Sequence, residues 1–235
     1  GTVADVVPLL DENRIITYHG LQVMNDKPRL AIQVLKNLKK VETITSRTLA
    51  FQFGPLMNAA GRLKDADMAV RFLLSNDRQE AEKMAQILDA TNAERREKES
   101  EMIQTALKLA DEQKNNPALI LVSPEFHEGV NGIVATRLVE SFYKPVLILS
   151  EKEGKIKGSG RSIPELNLKD VLSDCSDLLE RFGGHAAAAG CSLIPENLEA
   201  FQDRFFALCD DRLPASLMPK LQLDGALDYS ELTEQ

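Results

Sequence analysis

Three histidines, three cysteines and no long apolar run occur in the 235 residues of this chain. His19, His127 and His185 are scattered and include no His-His pair. A two-metal hydrolytic centre needs several carboxylates and histidines close together, so this chain is not expected to hold a complete one. Cys175, Cys191 and Cys209 lie far apart with no Cys-x-x-Cys spacing. An odd count of this kind suits buried thiols in a reducing cytosol and assigns them no metal or redox role. No apolar stretch approaches the roughly 20 residues that span a bilayer, and no charged-then-apolar leader opens the chain. A soluble, cytoplasmic protein with no membrane partner is therefore expected. Positive charge is also short, with 28 Lys and Arg against 36 Asp and Glu, a net of −8. Such a surface does not grip nucleic acid all over, and any such site must be a local patch. The first residue is glycine and GTVADVVPL reads as the middle of something, so an excised fragment is expected.

With 43% hydrophobic and 27% charged residues, the chain can build one large or two small globular domains, and disorder is not expected. The first part reads as helical. Apolar spacing predicts helices over 12–25 and from Pro28 through Leu38, then a short one over 46–53 that Gly54-Pro55 stops. Asn58 to Arg62 reads as a small-residue turn before a helix over 66–74. Residues 77–114 contain no Gly or Pro and predict one helix of roughly 57 Å. Its ends are amphipathic, but TNAERREKESE at 91–101 is polar on every face, which fits a helix bridging solvent between two domains. Limited proteolysis is expected first within Arg95–Lys98. Beyond it the period changes to α/β. Strands are predicted at 118–122, 146–150, 156–162 and 189–194, with helices at 130–143, 168–181 and 196–210. The first two strands and their helix read as a β-α-β unit with a right-handed crossover.

The stretch with most chemistry runs from Gly158 to Gly190. Glycines surround Ser159, Arg161 and Ser162, and after a helix come Gly183, Gly184 and His185 followed by four alanines and Gly190. Glycine permits close backbone approach, alanine keeps side chains out of the way, and successive N–H groups in such turns can form an anion nest. Arg161 adds a planar fork suited to phosphate. Gly-Gly as a helix stop and Ala-rich packing is the competing reading. Together the two halves favour a phosphate-backbone surface formed by Arg161, Ser162, Gly183, Gly184, His185, Ala188 and Gly190. Gly129 and Gly132 open a helix whose N-terminus can receive a phosphate, with His127 beside it. His127 ranks below His185, because a lone loop histidine is more often a hydrogen-bonded structural residue, and Asn131 is weaker still. Arg62 either ties its loop to Asp65 or Asp67 or serves a site. Asp5 taken alone is a loop cap.

GGHAAAAG resembles the Gly-Gly-His-x-x-Ala-Ala-Gly signature of the DHH-associated domain of DHH-family phosphoesterases. GSGRSI, GPLMNAAGRL, FHEGVNGIVATRL and GTVADVVPL fall in the same order as in single-stranded-DNA exonucleases of that family. The resemblance implies an α/β protein with the helix-rich C-terminal part of a DHH catalytic domain at 1–76 and a long connecting helix at 77–115. A compact DHH-associated domain with a mixed sheet follows at 116–212, and 213–235 leads into a truncated OB-fold domain. It implies a parent that is a metal-dependent 5′-to-3′ exonuclease on single-stranded DNA in recombination and repair, using Mn2+ or Mg2+. Alternatives are a family oligonucleotide or nucleotide phosphatase, or a non-catalytic nucleic-acid-binding module. Asp5 matches the family's last acidic motif and becomes the single metal ligand and catalytic residue retained. Asn58, Arg62 and His127 join the substrate-binding set. The family's other acidic motifs lie upstream, so the fragment alone is expected to be inactive, metal-free, monomeric and mainly a binder of single-stranded DNA. Phe126, Leu56 and Asn131 stand where the family has Trp, Arg and an aliphatic residue.

Overall fold

Apolar residues at helical spacing dominate the first half of the chain, although the first helix, Asp11–Asp26, buries no residue fully and leaves Ile15 and Ile16 exposed. The computed structural model describes residues 1–221, 223 and 225 and divides into two units, Gly1–Leu109 with Ser123–Val134 and Ala110–Val122 with Ala135–Gln235. In the first unit, α1 (Asp11–Asp26), α2 (Leu30–Lys39), α3 (Ser46–Thr48), α4 (Gly54–Leu63) and α5 (Asp67–Leu74) lead into α6 (Arg78–Glu112). Leu35, Phe53, Leu56, Phe72 and Leu88 meet in its core.

Three expectations are corrected here. Pro28 precedes α2 rather than entering it, and its carbonyl accepts from Gln33 Nε2 at 2.9 Å. Gly54-Pro55 does not stop a helix. The chain passes from α3 through one wide turn at Leu49–Phe53 into α4, with Pro55 in the first turn, where proline suits a helix. Asn58 to Arg62 is consequently helix, not turn. Alanine is the best helix former, and Ala59 and Ala60 are buried. The third correction concerns α6, present as one 35-residue helix. Its middle is not solvated all round. Thr91 and Asn92 are 1% and 2% exposed, and Arg95 pairs with Glu99 at 2.6 Å with both side chains largely covered. Spacing of i, i+4 and i+8 gathers these polar groups into one buried stripe that a hydrophobicity pattern cannot register.

The second unit is built on β1 (Leu119–Ser123), β2 (Val146–Lys152), β3 (Lys155–Arg161), β4 (Arg181–Gly184) and β5 (Ala188–Leu193), ordered β1-β2-β3-β5-β4 in a mixed sheet. Helix α7 (Glu128–Phe142) links β1 to β2, α8 (Leu168–Asp174) follows β3, and α9 (Leu198–Arg212) closes the unit. One sheet face carries Leu147, Leu149, Ile156, Ala189, Cys191 and Leu193 into a core with Leu168 and Leu172 of α8 and Phe201 and Phe205 of α9. The expected helix over 168–181 ends early at Asp174. A short turn at Ser176–Leu178 follows, and Arg181–Gly184 extend to pair with β5 as an edge strand. Among the described residues no helix is long and apolar enough to cross a membrane. No helix or strand occurs from Leu213 to Leu221, and 222, 224 and 226–235 of the expected link to a further domain lie outside the described residues.

Candidate functional site

The glycines of GSGRS do not form a turn. Gly158 and Gly160 lie inside β3, hydrogen-bonded to β2 on one side and β5 on the other. A Cβ on Gly158 would sit 2.0 Å from the Ile148 carbonyl oxygen, and one on Gly160 2.4 Å from Leu147 Cδ2. Packing requires both glycines, and the backbone of this stretch is committed to strand pairing rather than to an anion nest. Alternation along the strand then sorts the side chains. Ile156, Gly158 and Gly160 turn toward the core, while Lys157, Ser159 and Arg161 share the opposite face. The register places Ser159, Gly190 and Gly183 in one row across three strands, Lys157, Ser192 and Arg181 in the next, and Arg161 opposite Ala188. Gly183 is exposed and nothing lies within 4 Å of an added Cβ, so this face is open and flat there. Arg161 is half-buried and donates from Nη1 to its neighbour's carbonyl, Gly160 O, at 2.8 Å.

Gly184 and His185 form the start of a tight hairpin rather than a helix stop. His185 N–H donates to Ala188 O at 2.7 Å and Ala188 N–H returns a bond at 3.3 Å. Gly184 has φ +138°, and a Cβ there would lie 2.4 Å from Ala188 O, so glycine is obligatory. Ala186 and Ala187 at the tip accept from Leu168 N–H at 2.9 Å and Ser162 N–H at 3.0 Å. The hairpin is thereby fixed to the end of β3, and the His185 side chain stays exposed beside Arg161's strand. Ser162 is occupied structurally, its hydroxyl donating to Leu166 O at 2.8 Å. Lys157 and Arg181, both exposed, flank the buried Ser192 on this same side of the sheet, although no motif marked them. Counting by twos from Arg161 and Gly183 would have found both.

The remaining candidates lie in the first unit. Asp5 is exposed and, with Thr17, Leu35, Phe53 and Asn58, lines a cavity of about 430 Å3. Among the described residues no three His, Cys, Asp or Glu side chains converge on a possible metal site. The described residues alone therefore do not fit a divalent-metal pair. Arg62 contacts neither Asp65 nor Asp67 through a side-chain bond of the expected kind. Its Nη1 donates to Gly129 O at 3.1 Å, and Asp65 Oδ1 instead accepts from Asp67 N–H at 2.9 Å. Burial and then the charge of Arg95 lower the Arg62 pKa, with Glu99 opposing them. A Cβ on Gly129 would fall 2.0 Å from Arg62 O, so this glycine is needed for backbone contact. His127 caps α7, its Nδ1 accepting from Gly129 N–H at 3.2 Å. Phe126, Asn131 and Leu56 are fully buried, so the three positions expected to depart from the family pattern face interiors.

Residues 115–211 match the family described as the DHHA1 domain. Over 99% of its length the chain is 37% identical to the single-stranded-DNA-specific exonuclease RecJ of Bacillus subtilis, covering 30% of that protein. It is 38% identical over 99% of its length to RecJ of Escherichia coli K12, covering 43% of that protein. The crystal structure of RecJ in complex with Mg2+ from Thermus thermophilus superposes with a TM-score of 0.82 at 34% identity, over 91% of this chain and 33% of that one. The chain thus spans less than half the length of these curated relatives.

Proposed function

We propose, for a chain whose residues 115–211 are a DHHA1 domain, that it supplies the strand-binding surface of a metal-dependent exonuclease acting 5′-to-3′ on single-stranded DNA in recombination and repair. The observation that carries this reading is similarity along nearly the whole chain to proteins named as single-stranded-DNA-specific exonucleases. The physical support is the open face of β3, β5 and β4. Arg161 presents a guanidinium fork there for phosphate, the glycine row admits a backbone without steric cost, and His185 offers a ring that can hydrogen-bond or stack. Ala188 and Gly190 keep the floor low, with Gly183 and Gly184 at its edge. Arg62, Asn58 and His127 form a second candidate group in the first unit.

Hydrolysis is assigned to the longer protein. The Thermus RecJ structures are complexes with Mg2+ and with Mn2+, which supports a divalent ion there. Asp5 is the one residue of this chain proposed to reach such an ion. Fluorescence anisotropy with single- and double-stranded oligonucleotides tests the binding role. The expected result is preference for the single strand, with no digestion by this chain in either metal. Turnover by the purified chain would overturn the placement of the chemistry, and equal binding to blunt duplex would overturn the strand-binding role. In the longer protein, Asp5→Ala should abolish digestion and leave strand binding within about twofold, since it removes a metal ligand and no phosphate contact.

A further inference from the structure

We infer that Lys157 and Arg181, brought onto one face by the pairing of β3, β5 and β4, form a second phosphate-contact row that extends the track beginning at Arg161. This inference rests on the nucleic-acid reading of that face and goes beyond its motifs. Lys157 and Arg181 are both exposed and stand on either side of Ser192, one row below Ser159, Gly190 and Gly183. Lys157 and Arg161 are four residues apart on β3, roughly 13 Å at the usual strand rise, too far for one phosphate to touch both. A track of two contacts on either side of a glycine row follows from that spacing. Charge supports it. The segments KIKGSGRSI and RFGGHAAAAGCSLIP, which build this face, contain no Asp or Glu although the chain carries 36 of them. Glu180, next to Arg181 in sequence, lies 4.0 Å from Lys155 Nζ. The result is a local cationic strip on a protein of net charge −8, the kind of patch that focuses a polyanion onto one surface. Lys and Arg play different parts here, the first as a compact charge and the second as a planar fork.

The inference predicts a dependence on strand length. A short oligothymidylate that reaches only Arg161 and His185 should bind the double variant Lys157→Gln/Arg181→Gln as it binds the parent. A longer oligothymidylate should lose about tenfold or more in affinity at low salt, and its log-log salt slope should become shallower by about 1.4, two contacts at about 0.7 each. Arg181→Lys should keep the slope, because the charge is kept. Both residues are exposed, and thermal unfolding of each variant verifies that the fold is intact. Parent-like slope and affinity for the longer strand would overturn the inference, provided Arg161→Ala weakens binding in the same assay. Equal loss for both lengths would overturn it as well, by placing the row within the primary contact. If Arg161→Ala also binds as the parent does, the nucleic-acid reading of the face itself has failed, and the inference with it.

Discussion

A glycine can be kept for the fold or for the floor, and space around its Cα separates the two. Gly160 has Leu147 and Leu168 side-chain atoms within 3 Å of an added Cβ, and Gly129 has the Arg62 backbone. Gly129→Ala should destabilise the chain by about 2–4 kcal/mol, the scale of overpacking against a backbone that cannot retreat, measurable by urea unfolding. Gly183 has open space instead. Gly183→Val should leave stability within about 1 kcal/mol and block strand binding, because the new side chain rises from the edge-strand end of the glycine row, where the space is open. Destabilisation without loss of binding would show that the row is only packing. The cysteines illustrate a titration effect. Burial pushes the Cys175 thiol up to about 11 and the Cys191 and Cys209 thiols up to about 12, from an ordinary value of 9.0. Raised folded-state values favour the neutral thiol, so their stabilising contribution is complete below pH about 9 and lost as pH climbs through the folded values. Unfolding free energy should fall over that window, and less steeply in Cys191→Ala.

At the scale of elements, α6 and β4 differ most from their sequence reading. The Arg95–Glu99 pair is one turn long, and Asn92 Oδ1 accepts from Arg95 Nε at 3.2 Å, so the helix middle is braced on one side. Cleavage by trypsin is therefore expected to spare Arg95 until the chain unfolds, contrary to a helix solvated on all faces. Glu99 also opposes the effect of Arg95 on the exposed Arg62. Glu99→Gln should cost about 2–3 kcal/mol, more than Arg95→Met, because it leaves the largely covered Arg95 guanidinium without its carboxylate. Equal losses would limit the pair to supporting its own helix. Edge strand β4 exists because β5 offers it a partner across Gly183–Gly190 and Gly184–Ala189. The local sequence, with Leu178 and Leu179 continuing an amphipathic pattern, favoured helix.

For the whole molecule, the net charge and the charge of the proposed binding face have opposite signs. Arg161, Lys157 and Arg181 are three cations on one open face of a chain with net charge −8. If each meets one phosphate, the single-strand salt slope should be about −2. Titration of oligothymidylate binding against NaCl checks this. A slope steeper than about −4 would require cations elsewhere on the surface, and a slope near zero would remove the phosphate contacts.

The sequence by itself determined four of the five strands, the unbroken helix over 77–114 and the membership of Arg161, His185 and the glycines in one chemical stretch. Periodicity, the lack of breakers over 77–114 and short-range motifs are local properties, and local reading suffices for them. Tertiary structure decided the rest. Whether Gly158–Gly160 turn or extend depends on β2 and β5 pairing from outside the segment. Arg62 meets Gly129, 67 positions away, through a carbonyl that no side-chain pattern encodes. Lys157 and Arg181 become neighbours on a face only once β5 lies between their strands, because a sheet's rows are set by register across strands and not by distance along the chain.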